Sequence, residues 1–185
     1  MAALIGVIAD THVPDRLPQI PPGALEALAA SGVQTILHAG DICHRSAISQ
    51  LEAVAAVIAV RGNRDLLRPA NWALPSQRTV RVGDVVLGLT HGHGRPQEYL
   101  KSKLPGSYRG AMPRARLMAL FRRFDRTVQA VIYGHTHLPQ IDWIDGVLFF
   151  NPGSPAPEFF SELGPTIGLL RIQGRRITPR ILRVD

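Results

Sequence analysis

Leu4-Ile5-Gly6-Val7-Ile8-Ala9-Asp10-Thr11-His12 is an apolar run of strand character that ends abruptly in an Asp and a His two positions apart. The event recurs downstream. Thr35-Ile36-Leu37 runs into Gly40-Asp41, and Val57-Ile58-Ala59-Val60 into Gly62-Asn63. Val85-Val86-Leu87-Gly88-Leu89 runs into His91-Gly92-His93, and Val131-Ile132-Tyr133 into Gly134-His135-Thr136-His137. A lone Gly-Asp or Gly-Asn is usually a turn, and a lone His near a strand end is usually structural. Five strands that each deliver ligand-type side chains just past their C-terminal ends point instead to one site assembled by the whole chain.

Working outward, Pro14 and Pro18 mark a loop, and Pro21-Pro22 opens a helix. Leu25, Leu28 and Ala29 give that helix an apolar face, and Gly32 is its expected terminator. A second helix is expected from about Ser46, with Ile48, Leu51 and Ala55 on one side. The β-α-β-α-β order implies a parallel half-sheet. After a looser Arg64–Gln77 segment the pattern changes to hairpins. One turns at Gly83-Asp84, one at Asp145-Gly146, and the last around Gln173-Gly174.

Residues 95–126 read as a basic insertion. Arg95–Gly110 is expected as loop, and Pro113 opens a helix with Leu117, Leu120, Phe121 and Phe124 at i, i+3, i+4 and i+7. Arg114, Arg116, Arg122, Arg123 and Arg126 dominate its other positions. The plain reading is an amphipathic surface helix with a solvated basic face. The sharper one has it flank the site and steer an anionic substrate. The whole, residues 1–185, is expected to be a single α/β domain of two sheets packed face to face with helices outside.

The formal charge is +7, carried almost wholly by Arg, since Lys101 and Lys103 are the only lysines. That balance favours anionic partners, phosphate esters or nucleic acid, only through weak long-range attraction. A single cysteine, Cys43, excludes an internal disulfide and a Cys-rich zinc cluster, and reads as a small buried residue. The first apolar run has no basic segment before it and ends in Asp10, unlike a signal peptide. No run reaches the ~18–20 apolar residues of a membrane span. A soluble, cytoplasmic protein with no membrane partner is expected, and a homo-oligomer is left open.

Asp10, His12, Asp41, Asn63, His91, His135 and His137 offer carboxylate, amide and imidazole donors and no thiolate. Such sets suit Mn²⁺, Fe, Ni²⁺ or Zn²⁺. Seven donors are too many for one tetrahedral ion and suit two divalent ions sharing a carboxylate, as in sites that clamp an in-line displacement. With Asp10 and Asp41 offsetting two of four positive charges, the site keeps a surplus that attracts phosphate. His38 and His44 read as structural, with His38 a candidate to orient a ligand from behind.

These motifs, in this order, resemble the calcineurin-like metallophosphoesterase superfamily. Asn151-Pro152-Gly153-Ser154 and the short chain are similar to its small prokaryotic phosphodiesterase branch, which includes a retromer-complex subunit. The resemblance implies a four-layer α-β-β-α sandwich and a dinuclear site. Asp10, His12 and His137 would bind one metal, Asn63, His91 and His135 the other, and Asp41 would bridge. Mn²⁺ is the expected ion, with Ni²⁺, Fe and Zn²⁺ as alternatives, and a metal-bridging hydroxide would hydrolyse a phosphate ester. Many members follow the Asn with a His that assists the leaving group; here Arg64 stands in that place. A guanidinium with pKa above ~12 cannot donate a proton usefully, but it can stabilise phosphoryl charge. General-acid help would fall to His93, to water or to nothing, which favours diesters or activated esters. The rival readings are a protein-interaction scaffold, raised by the retromer relative, and a nuclease or nucleic-acid-directed phosphatase, raised by the charge.

Overall fold

The computed structural model of the chain describes residues 2–67, 73–94, 110–156 and 164–184. β1 (Ala2–Ile8) lies in the middle of the first sheet and serves two cores at once. Ile5, Val7 and Ala9 face the second sheet, whereas Ile8 faces the helices. Side chains alternate across a strand, so a strand covered on both faces reads as one continuous apolar run. β2 (Thr35–His38) and β3 (Ala56–Ala59) follow in parallel.

α1 (Pro22–Ala30) and α2 (Arg45–Glu52) cover the outer face through Ala24, Leu28, Ala47 and Leu51. On α2 the expected Leu51 is buried, Ile48 and Ala55 pack partly buried against the same core, and Ala47 joins them; Ala55 lies beyond the helix end. Ala47 and Leu51 are four apart and so share one face.

The second sheet has the order β4-β5-β6-β8-β7. It comprises β4 (Gln77–Val82), β5 (Val85–Thr90), β6 (Ala130–Ile132), β7 (Pro139–Ile144) and β8 (Val147–Pro152). β5, β6 and β8 are parallel, and β4 and β7 are antiparallel additions at the edges. α3 (Arg114–Phe121) packs outside it through Leu117 and Leu120. The helix stops at Phe121, so Phe124 lies outside it, and its ring occupies the space that a side chain at Gly88 would need. The final hairpin, β9 (Thr166–Gln173) and β10 (Arg176–Arg183), turns at Gly174-Arg175, one residue later than expected. It joins the first sheet, with β9 antiparallel to β1.

Both sheets are therefore mixed, and the layers run helix, sheet, sheet, helix, as expected. Residues 95–109, with the loop expected there and both lysines, lie outside the described residues. Among the described residues no helix is long and apolar enough to cross a membrane.

The two sheets meet through Val7, Leu37, Leu87, Ile132, Phe150 and Leu170. Phe150 fits because its neighbour on β9 is Gly168, where a Cβ would lie 2.5 Å from the ring. Phe150→Ala is expected to cost about 3–5 kcal/mol and Gly168→Val about 1–3 kcal/mol, both read from urea unfolding. A cost near zero for either would contradict this packing.

Candidate metal centre

The C-terminal ends of β1, β2, β3, β5 and β6 open onto one rim. The Asp10 and His12 N–H groups donate to the Gly40 and Asp41 carbonyls, both at 3.0 Å, and Gly134 N–H donates to the His91 carbonyl at 3.2 Å. His91 Nδ1 donates across the sheets to the Ala39 carbonyl at 2.8 Å, which turns Nε2 into the site. Gly62 has to be glycine because a Cβ there would collide with the Asp41 carboxylate.

All seven expected ligand residues converge on this rim. His12 Nε2 and His137 Nε2 are 3.2 Å apart, and Asp10 Oδ1 lies 3.9 and 3.4 Å from them. Asn63 Oδ1 is 3.1 Å from both His91 Nε2 and His135 Nδ1. Between the two clusters, Asp41 presents Oδ2 to His12 Nε2 at 3.7 Å and Oδ1 to His91 Nε2 at 3.4 Å. Two groups, Asp10/His12/His137 and Asp10/Asp41/His91, have ligand atoms all within 4.8 Å of one another and could each hold an ion.

The route to convergence differs from expectation. Extended backbone past the strands would bring residues i and i+2 together. Instead Asp10, His12, Asp41, His135 and His137 all have φ between 48° and 74°. Left-handed backbone curls each loop tightly over the strand end and costs about 1–3 kcal/mol per residue. Asp and His tolerate it better than bulkier residues.

The electrostatics suit a cation. Burial pushes the Asp10 carboxyl up to about 8 against the pull of His91, and the Asp41 charge adds to the rise. Burial acts on Asp41 too, but His91 and His12 outweigh it and hold that carboxyl below the usual range. His91 is buried, yet Asp41 and Asp10 raise it to about 9. Burial lowers His12 to about 4, His135 to about 2 and His137 to about 3, leaving those rings neutral, the protonation state in which an imidazole binds a metal. Asp10 Oδ1 is buried and has no hydrogen-bond partner among the described residues. A carboxylate oxygen left that way is costly, and a divalent ion in contact with it removes the cost. Donors and charge thus fit a divalent metal ion. Cys43 is not a candidate ligand. Its Sγ faces the His12 Nδ1 side of the ring at 3.6 Å, and burial raises its thiol pKa.

Asp65, which sequence reasoning passed over, braces the rim. It is buried, and its Oδ1 accepts from Ile42 and Cys43 N–H at 3.0 and 2.7 Å. Its Oδ2 accepts from Asp41 and Gly62 N–H at 3.1 and 2.6 Å. One carboxylate thereby ties the β2 loop to the β3 loop. The only signal was an acid two positions after Asn63, and an exposed turn would read identically. Asn151 and Ser154 tie the other loops. Asn151 donates to the Gly134 carbonyl and Thr136 Oγ1, both at 3.0 Å, and Ser154 Oγ donates to the Asp10 carbonyl at 2.9 Å. His38 accepts from Gly40 N–H at Nδ1, so its Nε2 donates to Thr11 Oγ1 at 3.1 Å. His44 caps α2. Both behave structurally, as expected.

Arg64 is exposed at the rim, and its backbone N–H donates to Asp41 Oδ1 at 2.8 Å. His93 sits beside the site, with ring centroids 5.5 Å from His91 and 6.3 Å from His135. Its Nδ1 is buried without a partner among the described residues. Arg16, not singled out from sequence, places Nη1 3.4 Å from His137 Nδ1.

Each Asp65 oxygen takes two N–H donors, so an amide in place of the carboxylate would set its NH₂ against two of them. Asp65→Asn should therefore destabilise almost as much as Asp65→Ala, by about 3 kcal/mol or more in urea melts. Near-native stability for Asp65→Asn would contradict the brace. For acid stability, burial lowers His38 to about 3 and His93 to about 4, joining His12, His135 and His137. All five bind protons more readily unfolded, so stability is lost as pH falls below their ordinary value of 6.5. Asp10, raised from 3.8 to about 8, opposes them across that range, as does Asp65, which burial raises, and, at its upper end, His91, raised to about 9. The five imidazoles outweigh these three groups. Calorimetry on chelator-treated protein should show Tm falling from about pH 7 to about pH 5; a flat or rising Tm would contradict their burial as neutral rings.

The family model described as the calcineurin-like phosphoesterase superfamily domain matches residues 3–175. A probable metallophosphoesterase of Methanothermobacter thermautotrophicus is 33% identical over 180 residues, covering 97% of this chain and 92% of that protein. Among solved structures, Vps29 of Entamoeba histolytica complexed with zinc is similar at 27% identity, with a TM-score of 0.71 and 98% of each chain covered. An archaeal phosphodiesterase is similar at 27% identity and a TM-score of 0.65, covering 97% of this chain and 99% of that one. Motif order, strand-end geometry and these matches agree, and the chain belongs to the calcineurin-like phosphoesterase superfamily.

Proposed function

We propose that the chain is a binuclear metal-dependent phosphodiesterase. The observation that carries this is Asp41, whose two oxygens face different clusters, at 3.7 Å from His12 Nε2 and 3.4 Å from His91 Nε2. Asp10, His12 and His137 would hold one ion, Asn63, His91 and His135 the other, and Asp41 would be shared. Bound divalent ions, with Mn²⁺ the expected pair, supply Lewis acidity toward phosphoryl oxygens and make water a competent nucleophile near neutral pH.

The chain's own residues narrow the substrate. Arg64 at the rim offers a planar fork of donors to phosphoryl oxygens and no transferable proton. His93 is kept neutral by burial and by the charges of His91, Arg123 and Arg116, against the pull of Asp41. With little proton help for the leaving group, a diester or an activated ester is the fitting substrate, in keeping with the similar archaeal phosphodiesterase. Similarity to Vps29 raises the scaffold reading. The Asp10 Oδ1 atom favours hydrolysis, because a docking platform has no use for a buried carboxylate oxygen without a hydrogen bond among the described residues.

Turnover of bis-para-nitrophenyl phosphate should appear with added Mn²⁺, vanish on chelation and return on reloading. Asp41→Asn should lose it while keeping the circular dichroism of the parent. Undiminished turnover after rigorous demetallation would overturn the proposal.

A further inference from the structure

Arginines lead away from the metal centre along the outer face of the second sheet. Arg116 in α3 places Nη2 3.4 Å from the His93 carbonyl, and its charge acts on His93 and His135. Arg123, just past the helix, also acts on His93, and its carbonyl accepts from Gln77 Nε2 at 3.1 Å. Gln77 stands opposite Thr90, the residue before His91. At the far end of that hairpin Arg81 stands opposite Val86. Cross-strand partners share a face, and Val86 packs in the outer core with α3. Val86 also exchanges two hydrogen bonds with Gln129, at 2.9 and 3.1 Å, which brings the Arg126 loop to the same end.

Arg81, Arg123 and Arg126 are exposed. The only acid between residues 110 and 128 is Asp125, whose carboxylate accepts from Thr127 N–H at 2.8 Å, and the only acid in the β4–β5 hairpin is the exposed Asp84 at its turn. Arg114 is not part of the strip, because it pairs with Asp145 at 3.0 Å. From Gln77 to Arg81 the strand advances roughly 13 Å, room for a few nucleotides.

We infer that this strip is a track for the backbone phosphates of a single-stranded oligonucleotide whose reacting phosphodiester lies at the metal centre. The inference rests on the phosphodiesterase reading above. Guanidinium forks match phosphate oxygens, and a basic groove that follows the backbone is how proteins hold single strands without reading sequence. The strip begins at a centre read as cleaving phosphodiesters, which favours a phosphodiester chain over an acidic peptide or an anionic membrane.

The test uses the full chain, a fluorescein-labelled oligo(dT) and chelator to prevent cleavage, with binding read by anisotropy across a salt series. Affinity should fall linearly in log–log form with salt. Arg81→Gln with Arg126→Gln should reduce the slope by about 1.4, the value for two lost single-strand phosphate contacts. Mn²⁺-loaded double variant should keep turnover of bis-para-nitrophenyl phosphate, which is too short to reach either residue. Unchanged affinity and slope in the double variant would overturn the track, as would tighter binding of a poly-glutamate peptide or of phosphatidylserine vesicles than of oligo(dT). Oligonucleotide binding without diester turnover in the parent would sink the phosphodiesterase reading and leave the track standing. Diester turnover with no oligonucleotide affinity at low salt would do the reverse.

Discussion

Asp10 and Asp41 end neighbouring parallel strands, are both buried, and lie within 4 Å of imidazole nitrogens. Two carboxylates taken out of water this close repel each other and lack solvation. Burial raises the Asp10 carboxyl, and the two carboxylates raise His91 despite its own burial. The other imidazoles are kept neutral by the same burial. One constraint, desolvated negative charge, thus sets the protonation of the rim and creates its demand for divalent positive charge.

Holding such a rim together requires structure whose cost is met elsewhere. Five ligand residues adopt left-handed backbone, and the loops would relax if they were free to do so. They are not free. Asp65 ties the β2 and β3 loops through four N–H groups, and Asn151 and Ser154 tie the β6 loop and the β1 loop to the end of β8. Beneath the rim, three apolar layers fix the strand ends against one another. The positions of the ligands are a consequence of sheet packing and backbone hydrogen bonding more than of the ligand residues themselves.

The departure at Arg64 and the arginines of α3 give the neighbourhood of the site a positive cast. Arg64, Arg16 and Arg116 approach it from three separate segments, the β3 loop, the β1 loop and α3. Such a surround attracts anions, and guanidinium groups offer no readily transferable proton. Both properties suit the proposed diester hydrolysis.

The sequence by itself determined the β-α-β-α-β succession of the first half, the three hairpins to within a residue, and the set of seven polar residues at strand ends. Each is a local signal, a period of two, a turn dipeptide or a donor beside a glycine, and survives without knowledge of distant neighbours. Tertiary structure alone decided how those residues meet. Left-handed backbone at Asp10 and His137 depends on partners across the fold, as does the joining of β9 to β1. The expected α3 pattern outran the helix because Phe124, past its end, packs over Gly88, where tertiary packing overrides helical spacing. Asp65 stayed invisible because its role is to accept four backbone N–H groups, and backbone donors leave no mark in a sequence.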